Sequence, residues 1–323
     1  MTVSAKLPEV LRKRLRLPAI VAPMLRISGV ELVRAACQAG VIGAFPTANP
    51  RSHEVLDDWL TELDATLSDS DAPYCPNLIM SRPETQKDIE ILLRHRTEMV
   101  ITSVGSPAPV VPALHEAGVF VLADVATIKH AKKAIEAGVD GLVLLTAGAG
   151  GNTGWMNPFA FVRAIRAFYD GPVALAGGMS DGIALRSAQE LGADLGYMGT
   201  KFIATQESLA EPDYKQMLID STMDDVLLTQ AFTGMNTSFL IPSIRAAGLD
   251  PDALDHTADV TSARAQYGGS ATSQTAGPRR WKDIWSAGHS VSGVTHVPTT
   301  REVVDQTLEE YNGINTLLNE EKP

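Results

Sequence analysis

The stretch AGVFVLADVATIKHAKKAIEAGVDGLVLLT, Ala117 to Thr146, decides the fold. It opens on Ala-Gly, runs through an apolar segment from Val119 to Asp124, and passes into an amphipathic segment from Ile128 to Ala137. A second Ala-Gly-Val then leads into Gly141 to Thr146. Glycine accepts the left-handed conformation that closes a helix, so Gly118 and Gly138 read as helix C-termini. Apolar runs without alternation read as strands buried on both faces, which is what a parallel sheet needs. The stretch is therefore strand, helix and strand joined by a right-handed crossover.

The unit recurs outward in both directions. Ala39-Gly40-Val41 repeats the junction, and Leu191-Gly192-Ala193 is a looser copy. Eight strands are expected: Ala19 to Ala22, Val41 to Phe45, Cys75 to Met80, Met99 to Val104, Val119 to Asp124, Gly141 to Thr146, Pro172 to Ala176 and Leu195 to Met198. Helical stretches separate them, among them Val30 to Ala39, Glu84 to His95, Pro158 to Phe168 and Gly182 to Leu191. Eight units favour an α/β fold of the closed (β/α)8 TIM-barrel type, about 250 residues plus an appendage. An open doubly wound sheet is the runner-up, but no GxGxxG turn follows the first strand.

Beyond Lys201 the alternation stops. The expected division is a barrel over residues 1–204 and a C-terminal helical and loop cap over 205–323, packed on the mouth and not independent. Glu207 to Arg245 reads as helical pieces broken near Thr233-Gly234, Asp250 to Gly277 as loop or weak helix, and Thr300 to Leu318 as a final helix. The tail reads equally as a dimerisation arm.

Composition narrows the partners. Lys and Arg number 27 against 38 Asp and Glu, and the net charge of −11 argues against nucleic acid. The two cysteines form no CxxC pair, which points to a reducing cytoplasm. No apolar run is long enough for a signal peptide or a membrane span. No histidine pair has metal-ligand spacing, so no metal is expected.

Active sites of such barrels sit where the strands end. The last three ends are the informative ones: TAGAGGNTGW from Thr146, AGGMSDG from Ala176, and MGTKF from Met198. Glycines there let backbone N–H groups approach an anion, and a helix N-terminus adds partial positive charge. Gly177, Gly178, Gly199 and Thr200 are therefore assigned to a phosphate. Asp124, ending the fifth strand, either accepts bonds from ligand hydroxyls or caps the next helix through Thr127 or Ile128 N–H. Trp155, Trp281 and Trp285 either wall an apolar pocket or serve as packing. Tyr197 precedes the Met-Gly-Thr turn, and strand parity alone does not place it.

The order APM, NLI, TAGAGG, LAGGMSDG and YMGTKFIATQES resembles the nitronate monooxygenase family, once called 2-nitropropane dioxygenases, over roughly residues 18 to 300. FMN-type enoyl-ACP reductases and some NADH:quinone reductases share most of these motifs. The resemblance implies FMN. It sets Ala22, Pro23 and Met24 along the isoalloxazine and Asn77 on the flavin ring. Gly150 and Gly151 would approach the flavin or its phosphate through their backbone, with Gly177, Gly178, Gly199 and Thr200 on the phosphate. The family's usual histidine after two glycines is replaced here by Asn152, which can hydrogen-bond a substrate but cannot take a proton. His289 stands where the family often carries Gln, and it either faces the flavin and replaces the missing base or is an exposed loop histidine. The implied activity is oxidation of a small nitronate or related carbon acid with O2. Competing readings are an NAD(P)H-dependent FMN reductase of a quinone or enoyl thioester, and a non-catalytic barrel that binds a flavin or phosphate ligand.

Overall fold

A computed structural model describes residues 4–267 and 278–320. Its strands are β1 (Ala19–Val21), β2 (Ile42–Pro46), β3 (Tyr74–Ile79), β4 (Met99–Ser103), β5 (Phe120–Val125), β6 (Gly141–Leu145), β7 (Gly151–Asn152), β8 (Val173–Ala176), β9 (Leu195–Met198), β10 (Val226–Thr229) and β11 (Thr237–Leu240). The order β1-β2-β3-β4-β5-β6-β8-β9 closes on itself as a barrel, with β9 pairing β1 in parallel through Ile20 and Tyr197. Each of the eight expected strands appears within a residue or two. The helix-ending glycines hold the left-handed conformation, with φ of 86° at Gly40 and 85° at Gly138.

Strand parity sorts the core. Ile20, Ala44, Cys75, Ile101, Leu122 and Val143 share one buried cluster inside the barrel. Their neighbours Val21, Phe45, Val100, Val121, Leu142 and Leu144 belong to a second cluster with the helices. At the N-terminal end of the barrel, Arg166 is fully engaged. It pairs with buried Asp194 at 2.5 Å and donates to Gly192 O and Gly171 O at 2.8 and 2.6 Å. Asp194 also accepts from Val173 N at 2.8 Å. Both members of this buried pair thus carry further hydrogen bonds, the condition for tolerating it.

The tail departs from expectation in two ways. Helix occupies only Pro212–Asp220 and Ile241–Ala246 of the stretch read as helical pieces. Between them β10 and β11 form an antiparallel hairpin, and β11 adds β7 as a third strand. Four-residue strands such as VLLT and TSFL carry too short a pattern to separate from helix, and their pairing with β7 is non-local. The second departure is the final helix, Thr300–Glu320. It packs in the outer helical layer, against Val30–Ala39 and Gly182–Leu191, as the barrel's eighth helix. A Cβ at Gly182 would collide with Thr307 O and Tyr311 N, so the two helices touch backbone to backbone. Arg16 reaches Asp305 at 3.0 Å and Arg301 donates to Gln38 O at 2.8 Å. The layers therefore do not follow the boundary expected at 204/205. Of the segment Asp250 to Gly277, Val260–Tyr267 is helix, and residues 268–277 lie outside the described residues.

Candidate active site

The barrel mouth gathers most of the residues singled out from the sequence. After β1, Ala22 N donates to Met198 O at 2.9 Å, which ties this strand end to β9. Met24 is pinned from both sides: its N–H donates to Ser28 Oγ at 3.0 Å, and its carbonyl accepts from Asn49 Nδ2 at 3.0 Å. A Cβ on Gly199 would lie 3.5 Å from Met24 Sδ and 3.6 Å from Ala22 Cβ. Ala22, Met24 and Gly199 are thus neighbours, with the half-buried Pro23 between the first two.

The two glycines after β8 differ. Gly177 (φ 124°) packs on the segment after β6, and a side chain there would strike Thr146 Oγ1 and come within 3.0 Å of Ala147 O. Gly178 (φ 68°) is exposed and faces open space, with nothing within 4 Å of where a Cβ would be. The helix that follows does not offer a free N-terminus. Asp181 accepts from Ala184 N at 2.7 Å, and Glu310 from Gly182 N at 2.9 Å. The anion-binding capacity at this end therefore rests on the turn amides and Thr200. Thr200 is buried, and its hydroxyl oxygen accepts from Gly288 N at 3.0 Å, leaving its hydrogen to donate elsewhere.

Asn77 is buried at the end of β3. Its Oδ1 accepts from Ser103 Oγ at 3.2 Å, and its Nδ2 donates to Ile101 O at 3.2 Å, which leaves one amide hydrogen. Asp124 continues the inward parity of Phe120 and Leu122. The capping alternative is excluded, because Thr127 caps the following helix by accepting from His130 N at 3.0 Å. Asp124 Oδ1 is buried without a partner. Burial alone pushes its carboxyl up to about 7. Tyr197 joins the inward cluster of β9, and its phenol is also pushed up by burial.

Gly150 and Gly151 meet the cap. A Cβ on Gly150 would sit 2.8 Å from Gly288 N, and Gly151 N donates to Ser286 Oγ at 2.7 Å. Their small size thus serves packing against residues 286–288. Asn152 pairs in register with Thr237, and its Oδ1 accepts from Thr237 Oγ1 at 3.0 Å. His289 is exposed and starts a short 3-10 turn. Its N–H donates to Gly148 O at 2.9 Å, and its ring lies over Gly148, where a Cβ would come within 2.9 Å of Nδ1. The loop after β6 is thus held by the cap at two points, His289 on Gly148 and Thr237 on Asn152.

Of the tryptophans, Trp285 stacks on Tyr214 with ring centroids 4.8 Å apart, and Trp281 tilts against Phe239 at 5.3 Å. Both are packing. Trp155 is 69% exposed on the rim. Ser286, Thr237 and Ser103 position the site and carry no local sequence signal, since each partner is distant along the chain. A groove of about 360 Å³ opens at the opposite end of the barrel, lined by Lys6, Arg186, Asp194 and Tyr311. Asp194 is already engaged by Arg166, and Arg186 by Glu190 at 3.1 Å, so two charged side chains of this groove are taken up by protein partners. Among the described residues no helix is long and apolar enough to cross a membrane, and no three His, Cys, Asp or Glu side chains converge as a metal site.

Known proteins resemble this arrangement. A FabK structure from Thermotoga maritima superposes with a TM-score of 0.78 at 21% identity, covering 99% of each chain, which places the fold among solved barrels. A nitronate monooxygenase from Paraburkholderia phytofirmans (strain DSM 17436 / LMG 22146 / PsJN) is 26% identical over 278 residues, 72% of this chain and 76% of the relative. A (3aS,4S,5R,7aS)-5-hydroxy-7a-methyl-1-oxo-octahydro-1H-indene-4-carboxyl-CoA dehydrogenase from Rhodococcus jostii (strain RHA1) is 27% identical over 218 residues. That match takes in 68% of this chain but only 61% of the relative's length. The family model described as Nitronate monooxygenase matches residues 76–309, the greater part of the chain and all of the strand ends from β3 onward. The chain belongs to the nitronate monooxygenase family.

Proposed function

We propose that this protein is an FMN-dependent oxidoreductase that oxidises a small nitronate or related anionic carbon acid with O2. The observation that carries the reading is the barrel mouth itself. An open glycine turn after β8 and a hydroxyl free to donate after β9 share the mouth with a carboxyl at the end of β5 whose Oδ1 is enclosed and unpartnered. These residues suit a molecule with a phosphate at one end and hydroxyls along its middle.

Gly177, Gly178, Gly199 and Thr200 would hold the phosphate, Asp124 the ribityl hydroxyls, and Asn77 with Ala22, Pro23 and Met24 the ring. Bound there, the flavin supplies the two-electron chemistry. The chain's own part is to bind and orient. Asn152 cannot remove a proton, and its oxygen is already engaged by Thr237, so its amide hydrogens are free for an anion's oxygen. A substrate that arrives deprotonated needs nothing more from this residue. His289 is exposed at the same rim beside Gly148, and we assign it to substrate rather than flavin. The described residues between 205 and 299 would cap this mouth as part of one unit with the barrel. The free, buried Cys37 and Cys75 support a cytoplasmic setting.

The test is spectral and anaerobic. The purified protein should show oxidised flavin absorbance, bleached by propyl-2-nitronate without NADH. Bleaching by NADH or NADPH alone would move the assignment to an FMN reductase. An enoyl or other thioester acceptor would then fit the relative named as an indene-4-carboxyl-CoA dehydrogenase, whose name is that of a thioester. A protein that takes up no flavin refutes both.

A further inference from the structure

Asp124 carries a carboxyl whose placement neither fold nor cap explains. Its side chain points inside the barrel at the C-terminal end of β5, and its Oδ1 is enclosed with no hydrogen-bond partner. The capping duty of such a residue is performed by Thr127. Among the described residues no basic side chain pairs with it. Cys75 from β3 and Tyr197 from β9 are titratable neighbours that feel its charge, and burial pushes the pKa of each up, which keeps both neutral. The flanking strands bring Val143, paired with Asp124 across β6, and Ser103, one step beyond the paired Thr102 on β4. Neither titrates. Burial is the only cause acting on the carboxyl, and it brings it up to about 7. A buried polar atom left unpaired is costly, and hydroxyl donors would relieve it.

We propose that Asp124 accepts the ribityl hydroxyls of FMN and releases its proton to water as it does so, which makes flavin binding proton-linked. The inference rests on the FMN reading above. The balance is simple: the carboxyl O–H breaks, the proton passes to solvent, and a ligand O–H donates to the carboxylate. Hydrogen bonds to the charged form favour that form, so bound flavin draws the carboxyl's affinity for protons down. Below about pH 7 the free site carries the proton that binding must expel. Affinity therefore rises with pH by up to about tenfold per unit in that range and levels off above it.

The phosphate of FMN titrates near the same pH, about 6, so riboflavin is the cleaner probe. Lumiflavin, which lacks the ribityl chain, is the control. The flavin-free full chain is titrated at about pH 5.5, 6.5 and 7.5 by quenching of flavin fluorescence, for the native protein, Asp124→Asn and Asp124→Ser. Circular dichroism checks that each variant folds. The expected result is riboflavin binding that tightens about five- to tenfold from pH 5.5 to 6.5 in the native protein. Both variants and lumiflavin should give flat profiles. A flat riboflavin profile in the native protein, or a slope that survives in either variant, overturns the proposal while leaving FMN binding intact. Absence of binding by riboflavin and FMN alike overturns the FMN reading and the proposal with it.

Discussion

Gly178→Ala separates the phosphate role of its turn from the ordinary needs of a turn. Gly178 holds φ of 68° and has nothing within 4 Å of a Cβ position, so an added methyl meets no protein atom. The only internal cost is the left-handed backbone, about 1–2 kcal/mol for a residue with a Cβ. Gly118 offers a matched control. Its φ is 76°, it too has nothing within 4 Å, and it lies between a helix and β5 at the far end of the barrel. Gly118→Ala should therefore lower stability by the same amount, a shift in Tm of a few degrees for a chain of this size. Gly178→Ala should do that and also push a methyl toward the anion, weakening a charge-assisted backbone hydrogen bond worth about 1.5–3 kcal/mol. At about 1.4 kcal/mol per decade, FMN binding should fall roughly ten- to hundredfold. The assay pairs thermal melts of the flavin-free proteins with FMN titrations of both variants. If Gly178→Ala binds FMN as tightly as Gly118→Ala does, the phosphate does not sit at this turn.

Other expectations follow from the same geometry. Thr237→Val removes the hydroxyl that holds Asn152, and steady-state kinetics with a nitronate should show KM rising several-fold with little change in kcat. Asn152→His places a group that titrates near 6.5 at the same spot, and turnover of neutral nitroalkanes should appear and grow as pH rises through that value. Arg166→Leu strands the buried Asp194 carboxylate and should cost about 3–5 kcal/mol in urea unfolding while leaving FMN affinity unchanged. Asp124 carries a folded-state value raised to about 7 against about 3.9 in an unfolded chain. The folded state thus holds the extra proton, and the flavin-free protein should lose a few kcal/mol as pH rises from about 4 through 7. Asp124→Asn should flatten that pH dependence, and a native profile that is already flat across the range refutes the assignment.

The barrel was legible because its signal is local and repeated. Ala117 to Thr146 shows strand, helix and glycine stop within one window, and all eight strands follow the same grammar. The hairpin β10–β11 was not legible, because its register is set by β7, far back in the chain. Parity placed Asp124 inside once β5 was observed, whereas the sequence alone left it between capping and ligand. Gly150 and Gly178 look alike in sequence, yet one is spent on contact with Gly288 and the other faces open space. Ser286, which joins Gly151 to β11 through its hydroxyl, had no sequence signal because both of its partners are remote.

The place of the helix Thr300–Glu320 bears on how the protein is made. The chain lays down all eight barrel strands and then the whole cap before this helix is synthesised. Until it arrives, the faces of Val30–Ala39 and Gly182–Leu191 that it covers stand bare on the nascent chain. Contacts between elements so far apart in sequence form late and slowly. A ribosome-bound intermediate would thus expose an apolar cleft beside Val30–Ala39 until this helix has been made, a natural point for chaperone engagement and for aggregation of chains cut short after the cap.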